Sequence, residues 1–127
     1  MKNWTKTIAI RTTANADSIP ITGTGDSFKS KRIVSICTRV GGKTINKLSI
    51  VSKAVLDVLF LELKEEGTDT RIQMPLSYIL AMSSEQNGCK GLPVGFVASW
   101  DDSKMTCYDP SVLVTDQAVE LCVTFEK

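Results

Sequence analysis

The clearest periodicity in the chain lies near its end. Between Ala118 and Lys127, Val119, Leu121, Val123 and Phe125 alternate with Glu120, Cys122, Thr124 and Glu126. A period of two places these sets on opposite sides of a strand, so the first set predicts a core-facing side and the second a wet one. The opening reads similarly. Ile8 and Ile10 share a face with Lys6 and Thr12, while Thr7, Ala9 and Arg11 take the other. Its threonine content suits an edge or N-terminal strand over Trp4 to Thr13.

Phe28 to Val40 predicts a long strand. Val34, Ile36, Thr38 and Val40 lie on one side; Lys31, Ile33, Ser35, Cys37 and Arg39 lie on the other. Gly41-Gly42 predicts a tight turn, with Thr44 to Ser52 returning as a hairpin partner. Ala54 to Lys64 is apolar on both sides, which predicts a strand buried on both faces; its Leu, Ala, Glu and Lys content makes a helix the rival. Glu65 to Asp69 predicts a turn and Thr70 to Met74 a strand pairing with the one before. Pro75 suits the first position of a helix, and Leu76, Ile79 and Leu80 have helical spacing. Val94 to Trp100 predicts a strand, Asp101-Asp102-Ser103 a turn, and Lys104 to Tyr108 the return strand. Ile19 and Ile21 flank Pro20, which fits only an edge.

Short strands at intervals of about ten residues, separated by turn signals, are the pattern of an all-β sandwich or barrel. The chain has 127 residues, the length of one domain, with no internal repeat and no linker. The expectation is a single domain over 1–127 with seven to nine strands and one short helix near 75–82.

Composition narrows the chemistry. There is no histidine, which removes Ser-His-Asp and Cys-His catalysis and imidazole-based zinc sites. Fifteen basic residues stand against 14 acidic ones, so the basic excess that phosphate neutralisation requires is missing. The eight aromatics (two Trp, two Tyr, four Phe) do not interleave with basic residues as a single-strand stacking platform needs. The polar start, Met1 to Lys6, is followed by no apolar signal region. The longest strongly apolar run, Val58 to Leu61, is too short to span a bilayer. The expectation is synthesis in a reducing cytoplasm, without membrane or nucleic-acid partners. Cys37, Cys89, Cys107 and Cys122 form no CxxC pair and read as packing residues, Cys89 being the one in a polar loop. No cofactor or metal is expected.

Several local motifs invite chemistry. Gly42-Lys43-Thr44 resembles a P-loop tail, but the required first glycine is replaced by Cys37. The Gly23 to Ser27 loop lacks the strand and helix a phosphate cradle needs. Lys29, Lys31, Arg32 and Arg39 form a basic stretch, suited to an acidic partner or to protecting a strand edge; alternation puts Arg32 opposite the other three. Asp57 interrupts an apolar run, the setting of a buried catalytic acid, of an acid at an oligomer interface or of one paired with a Lys or Arg. Trp100, Asp101, Asp102 and Tyr108 gather near one predicted hairpin, the residue types of a sugar-binding platform.

The threonine-rich opening strand, the long run Arg32 to Val40 and the closing strand Val119 to Phe125 resemble small β-sandwich proteins of phage particles: capsid auxiliary, decoration or head-fibre proteins and jelly-roll coat subunits. That resemblance implies a jelly-roll-like β-sandwich without catalysis. It implies contact with copies of itself or other capsid proteins through sheet edges and loops, and a place in the virion after synthesis in the host cytoplasm. The contact candidates are Trp4, Ile8 and Ile10 on one edge, Lys31, Arg32 and Arg39 on the other, and Trp100, Asp101, Asp102 and Tyr108 at the hairpin. Two alternatives stand beside it. One is a carbohydrate- or peptide-binding module using the Trp100–Tyr108 hairpin and the loop around Cys89. The other is an enzyme using Asp57 or the Asp101-Asp102 pair.

Overall fold

The computed structural model describes residues 3–21, 30–83 and 91–126. The expectations for Gly23 to Ser27, Phe28, Lys29 and Cys89 lie outside them. The described strands are β1 (Asn3–Arg11), β2 (Ser18–Pro20), β3 (Ile33–Thr38), β4 (Ser49–Ile50), β5 (Leu59–Glu65), β6 (Arg71–Pro75), β7 (Leu92–Pro93), β8 (Ala98–Cys107) and β9 (Gln117–Glu126). Helix α1 (Lys53–Leu56) precedes β5, α2 (Leu76–Met82) follows β6, and a 3-10 turn spans Pro110–Val112. None of these helices is long and apolar enough to cross a membrane.

Two sheets form, ordered β1-β9-β3-β7 and β2-β8-β5-β6. β1 pairs with β9, β2 with β8, β3 with β7 and β5 with β6, all antiparallel. Setting aside the two-residue β4, which joins β9 in parallel, first pairs with last, second with second-last, and so inward. This is one long antiparallel ribbon rolled into two four-stranded sheets, the jelly-roll architecture. The all-β sandwich expected from the sequence is therefore the fold. The core lies between the sheets: Ile8, Ile10, Leu121, Val123 and Phe125 of one pack with Leu59, Leu61, Leu63 and Met105 of the other. β9 alternates as its sequence predicts, and Gly67, at φ +80°, makes the predicted β5–β6 turn. Pro75 stands immediately before α2, at its N-cap. Leu76 and Ile79 are fully buried, so α2 closes the core at one end.

Four local readings are corrected. Residues 44–52 do not return as a hairpin on β3; β4 instead continues along the edge of β9. The segment 54–64 opens with the helical turn α1, and only 59–65 is strand. β3 is shorter than Phe28 to Val40 and is interior, between β9 and β7, so it offers no edge. Its alternation is also broken. Ile33 faces Phe125 and Ser35 faces Thr124, leaving Val34 as a bulge. One extra residue inverts the side-chain phase, so Ile33 and Ile36, placed on opposite faces by strict alternation, are both fully buried. Finally, Trp100 to Tyr108 is not a hairpin: a single strand, β8, runs from Ala98 to Cys107.

Strand directions gather the connections at two ends. Arg11 lies opposite Ala118, Thr38 opposite Leu121, Ser18 opposite Thr106, and Leu59 opposite Cys107. The β1–β2, β3–β5, β6–β7 and β8–β9 connections therefore share one end of the sandwich.

Candidate interaction surfaces

The predicted turn at Asp101 is a wide bulge on the outer side of the second sheet. Glu62 faces Lys104 and Lys64 faces Ser99, so Leu63 alone opposes Trp100 to Ser103. Ser103, 3% exposed, holds the bulge shut. Its hydroxyl accepts from the Lys64 backbone N–H at 3.2 Å and donates to the Ser99 carbonyl at 2.8 Å. The extra residues turn Trp100 inward to 5% exposure, within the core. Trp100 is thus a packing residue and not the exposed platform that the binding-module alternative needs.

Asp101 and Asp102 remain exposed. Ser99 Oγ donates to Asp102 Oδ2 at 2.8 Å, Lys64 Nζ stands 3.7 Å away, and Arg71 Nη1 donates to the Asp102 carbonyl at 2.9 Å. The Ser99 hydrogen bond, then the charge of Lys64, holds the Asp102 carboxyl below its usual pKa. Glu62 lies 3.7 Å from Arg71 and 3.8 Å from Lys104. Glu62 and Asp102 are thus matched by cations across three strands.

Tyr108 follows β8 at the loop-rich end and is 72% exposed. Its ring meets Phe60 edge-on, with centroids 4.7 Å apart at 64°, and its backbone N–H donates to the Val58 carbonyl at 2.9 Å. Asp109 follows it, bonded by the Ser111 hydroxyl at 2.6 Å, and exposed Asp57 adjoins Val58. Asp57 is therefore no buried acid; it ends α1, 4.0 Å from Lys53. Beneath, burial pushes the Cys107 thiol up, a hydrogen bond with the Asp109 backbone partly opposes it, and the charges of Asp109 and Asp17 add to the rise.

On the outer side of the first sheet the basic stretch is answered by β9. Arg39 Nε and Nη2 donate to the two Glu120 carboxylate oxygens at 2.8 and 3.3 Å; this bond, ahead of the others, raises the Arg39 pKa. Arg32 lies 3.8 Å from Glu126. The Val34 bulge brings Arg32 and Arg39 to the same outer face, where alternation had separated them. Lys31 is exposed. Cys37 lies opposite Cys122, both half-buried. On the predicted edge, Ile8 and Ile10 point into the core at 6% and 2% exposure, and half-buried Trp4 stacks on Phe125. The edge position of β1 stands, but these side chains face inward.

One prominent residue escaped the sequence reading. Ile45 is 96% exposed. It sits on a turn closed by Thr44, whose N–H donates to the Leu48 carbonyl at 2.9 Å and whose hydroxyl accepts from the Leu48 N–H at 3.1 Å. Lys43 and Lys47 flank it, and with Thr7, Ala9 and Glu120 it lines a depression of about 570 Å³ on the first sheet. The available signal was a lone apolar residue between two lysines just past Gly41-Gly42. Reading it as part of a strand hid it.

Of the seven large hydrophobics exposed among the described residues, six (Val40, Ile45, Tyr78, Tyr108, Val112 and Val114) lie at the loop-rich end. The opposite end includes the polar turn Glu66 to Asp69. Among the described residues, no group of three or more Cys, Asp or Glu is placed to hold a metal ion. No protein-family model, curated protein or solved structure matches the chain.

Proposed function

We propose that this chain is a non-enzymatic structural subunit of a large assembly, a viral capsid or capsid-associated protein, working through contacts with copies of itself. The observation that carries the reading is the concentration of exposed apolar side chains at one end of a jelly roll. Exposed apolar groups gathered on one region mark contact surfaces. The architecture also serves coat subunits, as it does lectins and enzymes, so strand order supports the reading without selecting it. Light scattering after size exclusion, at low and high salt, tests it. A mass well above the single-chain 13.9 kDa is expected at both; a monomer at every concentration overturns the proposal.

A second reading has one specific support. Tyr108, held on Phe60 and bordered by carboxylates, is the kind of rigid exposed aromatic that stacks on a sugar or peptide. Saturable binding in a glycan or peptide screen, abolished by Tyr108→Ala, would favour that module.

A further inference from the structure

Two of the exposed tips at the loop-rich end are opposite in charge. Residues 39–47 carry Arg39, Lys43 and Lys47 and no acid; Arg39 is engaged by Glu120, leaving Lys43 and Lys47 beside bare Ile45. Residues 108–116 carry Asp109 and Asp116 and no cation. Asp116 lies 3.8 Å from Arg11. Asp57 precedes Val58, whose carbonyl holds the Tyr108 N–H, and Lys53 lies 4.0 Å from Asp57. Each tip is thus an apolar centre whose charge is mainly of one sign: Lys43 and Lys47 beside Ile45, where Glu120 is taken up by Arg39, and Asp57 and Asp109 against the single charge of Lys53 near Tyr108.

The tips also stand on different sides of the sandwich. Ile45 shares a depression with Thr7, Ala9 and Glu120 of the first sheet. Tyr108 rests on Phe60, on the outer side of the second. Both are ordered by their own bonds, the first through Thr44 and Leu48, the second through Val58 and Phe60, so little freedom is lost when they dock.

We infer that the Lys43-Ile45-Lys47 tip of one copy docks against the Tyr108-Asp57-Asp109 surface of a second copy of this chain. The inference rests on the self-assembly proposed above and names its contact. Complementary potentials set partner and orientation. Because tip and surface differ and lie on opposite sides, the contact is heterologous and repeats from copy to copy. Such contacts close into rings when the rotation allows and otherwise extend.

Charge reversal in two separate chains tests this. One chain carries Lys43→Glu and Lys47→Glu; the other carries Asp57→Lys and Asp109→Lys. All four positions are exposed, and thermal unfolding checks that each variant folds. Each variant alone should associate at least about tenfold more weakly than the parent. Mixed in equal amounts they should co-assemble, because each tip then meets a surface of opposite sign. Ile45→Ser and Tyr108→Ser, which leave the charges alone, should weaken association as well, and they serve if a reversed chain does not fold. A parent that assembles while all variants assemble equally well overturns this contact and leaves self-assembly standing. A parent that stays monomeric at its highest soluble concentration overturns both.

Discussion

Trp4 stacks on Phe125, ring centroids 4.8 Å apart and planes 28° from parallel. The contact ties the first strand to the last, the pair on which the rolled ribbon closes. Phe125 is fully buried and Trp4 half-buried. Replacing Phe125 with Ala should therefore cost about 4 kcal/mol. Trp4→Ala should cost about 2 kcal/mol, part transfer and part lost stacking. Urea unfolding measures both. A Trp4→Ala chain as stable as the parent would mean that the ring contributes nothing to closure.

The β8 bulge depends on one hydroxyl. Ser103→Ala removes the acceptor of the Lys64 N–H and the donor to the Ser99 carbonyl. Both groups then lose this partner in a part-buried site, a change expected to cost about 1–2 kcal/mol. Thr at this position keeps the hydroxyl and should recover part of the loss. Equal unfolding midpoints for Ser103→Ala and the parent would contradict the role given to this side chain.

The Asp102 carboxyl should titrate below the ordinary aspartate value in a carbon-detected NMR titration. Its folded pKa is lowered, first by Ser99 and then by Lys64. Its contribution to stability is therefore complete above the unfolded-state pKa and disappears as pH falls through the lowered folded value. Ser99→Ala should move the midpoint upward, and Lys64→Met should do so to a smaller extent. An unchanged midpoint in Ser99→Ala would show that the hydroxyl does not bond the carboxylate in solution.

Legibility varied with the physical basis of each signal. The closing strand was readable because one buried face imposes a strict period of two, and nothing interrupts it from Val119 to Glu126. The β5–β6 turn and α2 were readable because Gly67 and Pro75 constrain the backbone locally. The phase of β3 was not, since the Val34 bulge is imposed by pairing with β9 and leaves no local mark. The Asp101 bulge was misread for a related reason. Asp-Asp-Ser has turn composition, and whether such a segment reverses the chain or bows out of a continuing strand depends on where β5 lies.

The contact candidates divided along the same line. Tyr108 and Arg39 were found at the surface, whereas Trp100, Ile8 and Ile10 went to the core. An apolar or aromatic residue near a charged one looks identical in sequence whether it faces water or another sheet. Ile45 shows the reverse error: an apolar residue assigned to a strand stands on an exposed turn because Thr44 closes the chain around it.

By itself the sequence determined the all-β class, the positions of the closing strand, α2 and the β5–β6 turn, and the absence of histidine. These follow from local backbone preference, side-chain periodicity and composition, which need no distant partner. Only the tertiary structure decided that β1 lies on β9 and β4 follows β3 along the same strand. It also decided that Ile33 and Ile36 share a face and that Ile45 and Tyr108 mark two sides of one end. Those relationships depend on contacts between residues far apart in the chain, where register, bulges and burial are settled by packing and not by any segment alone.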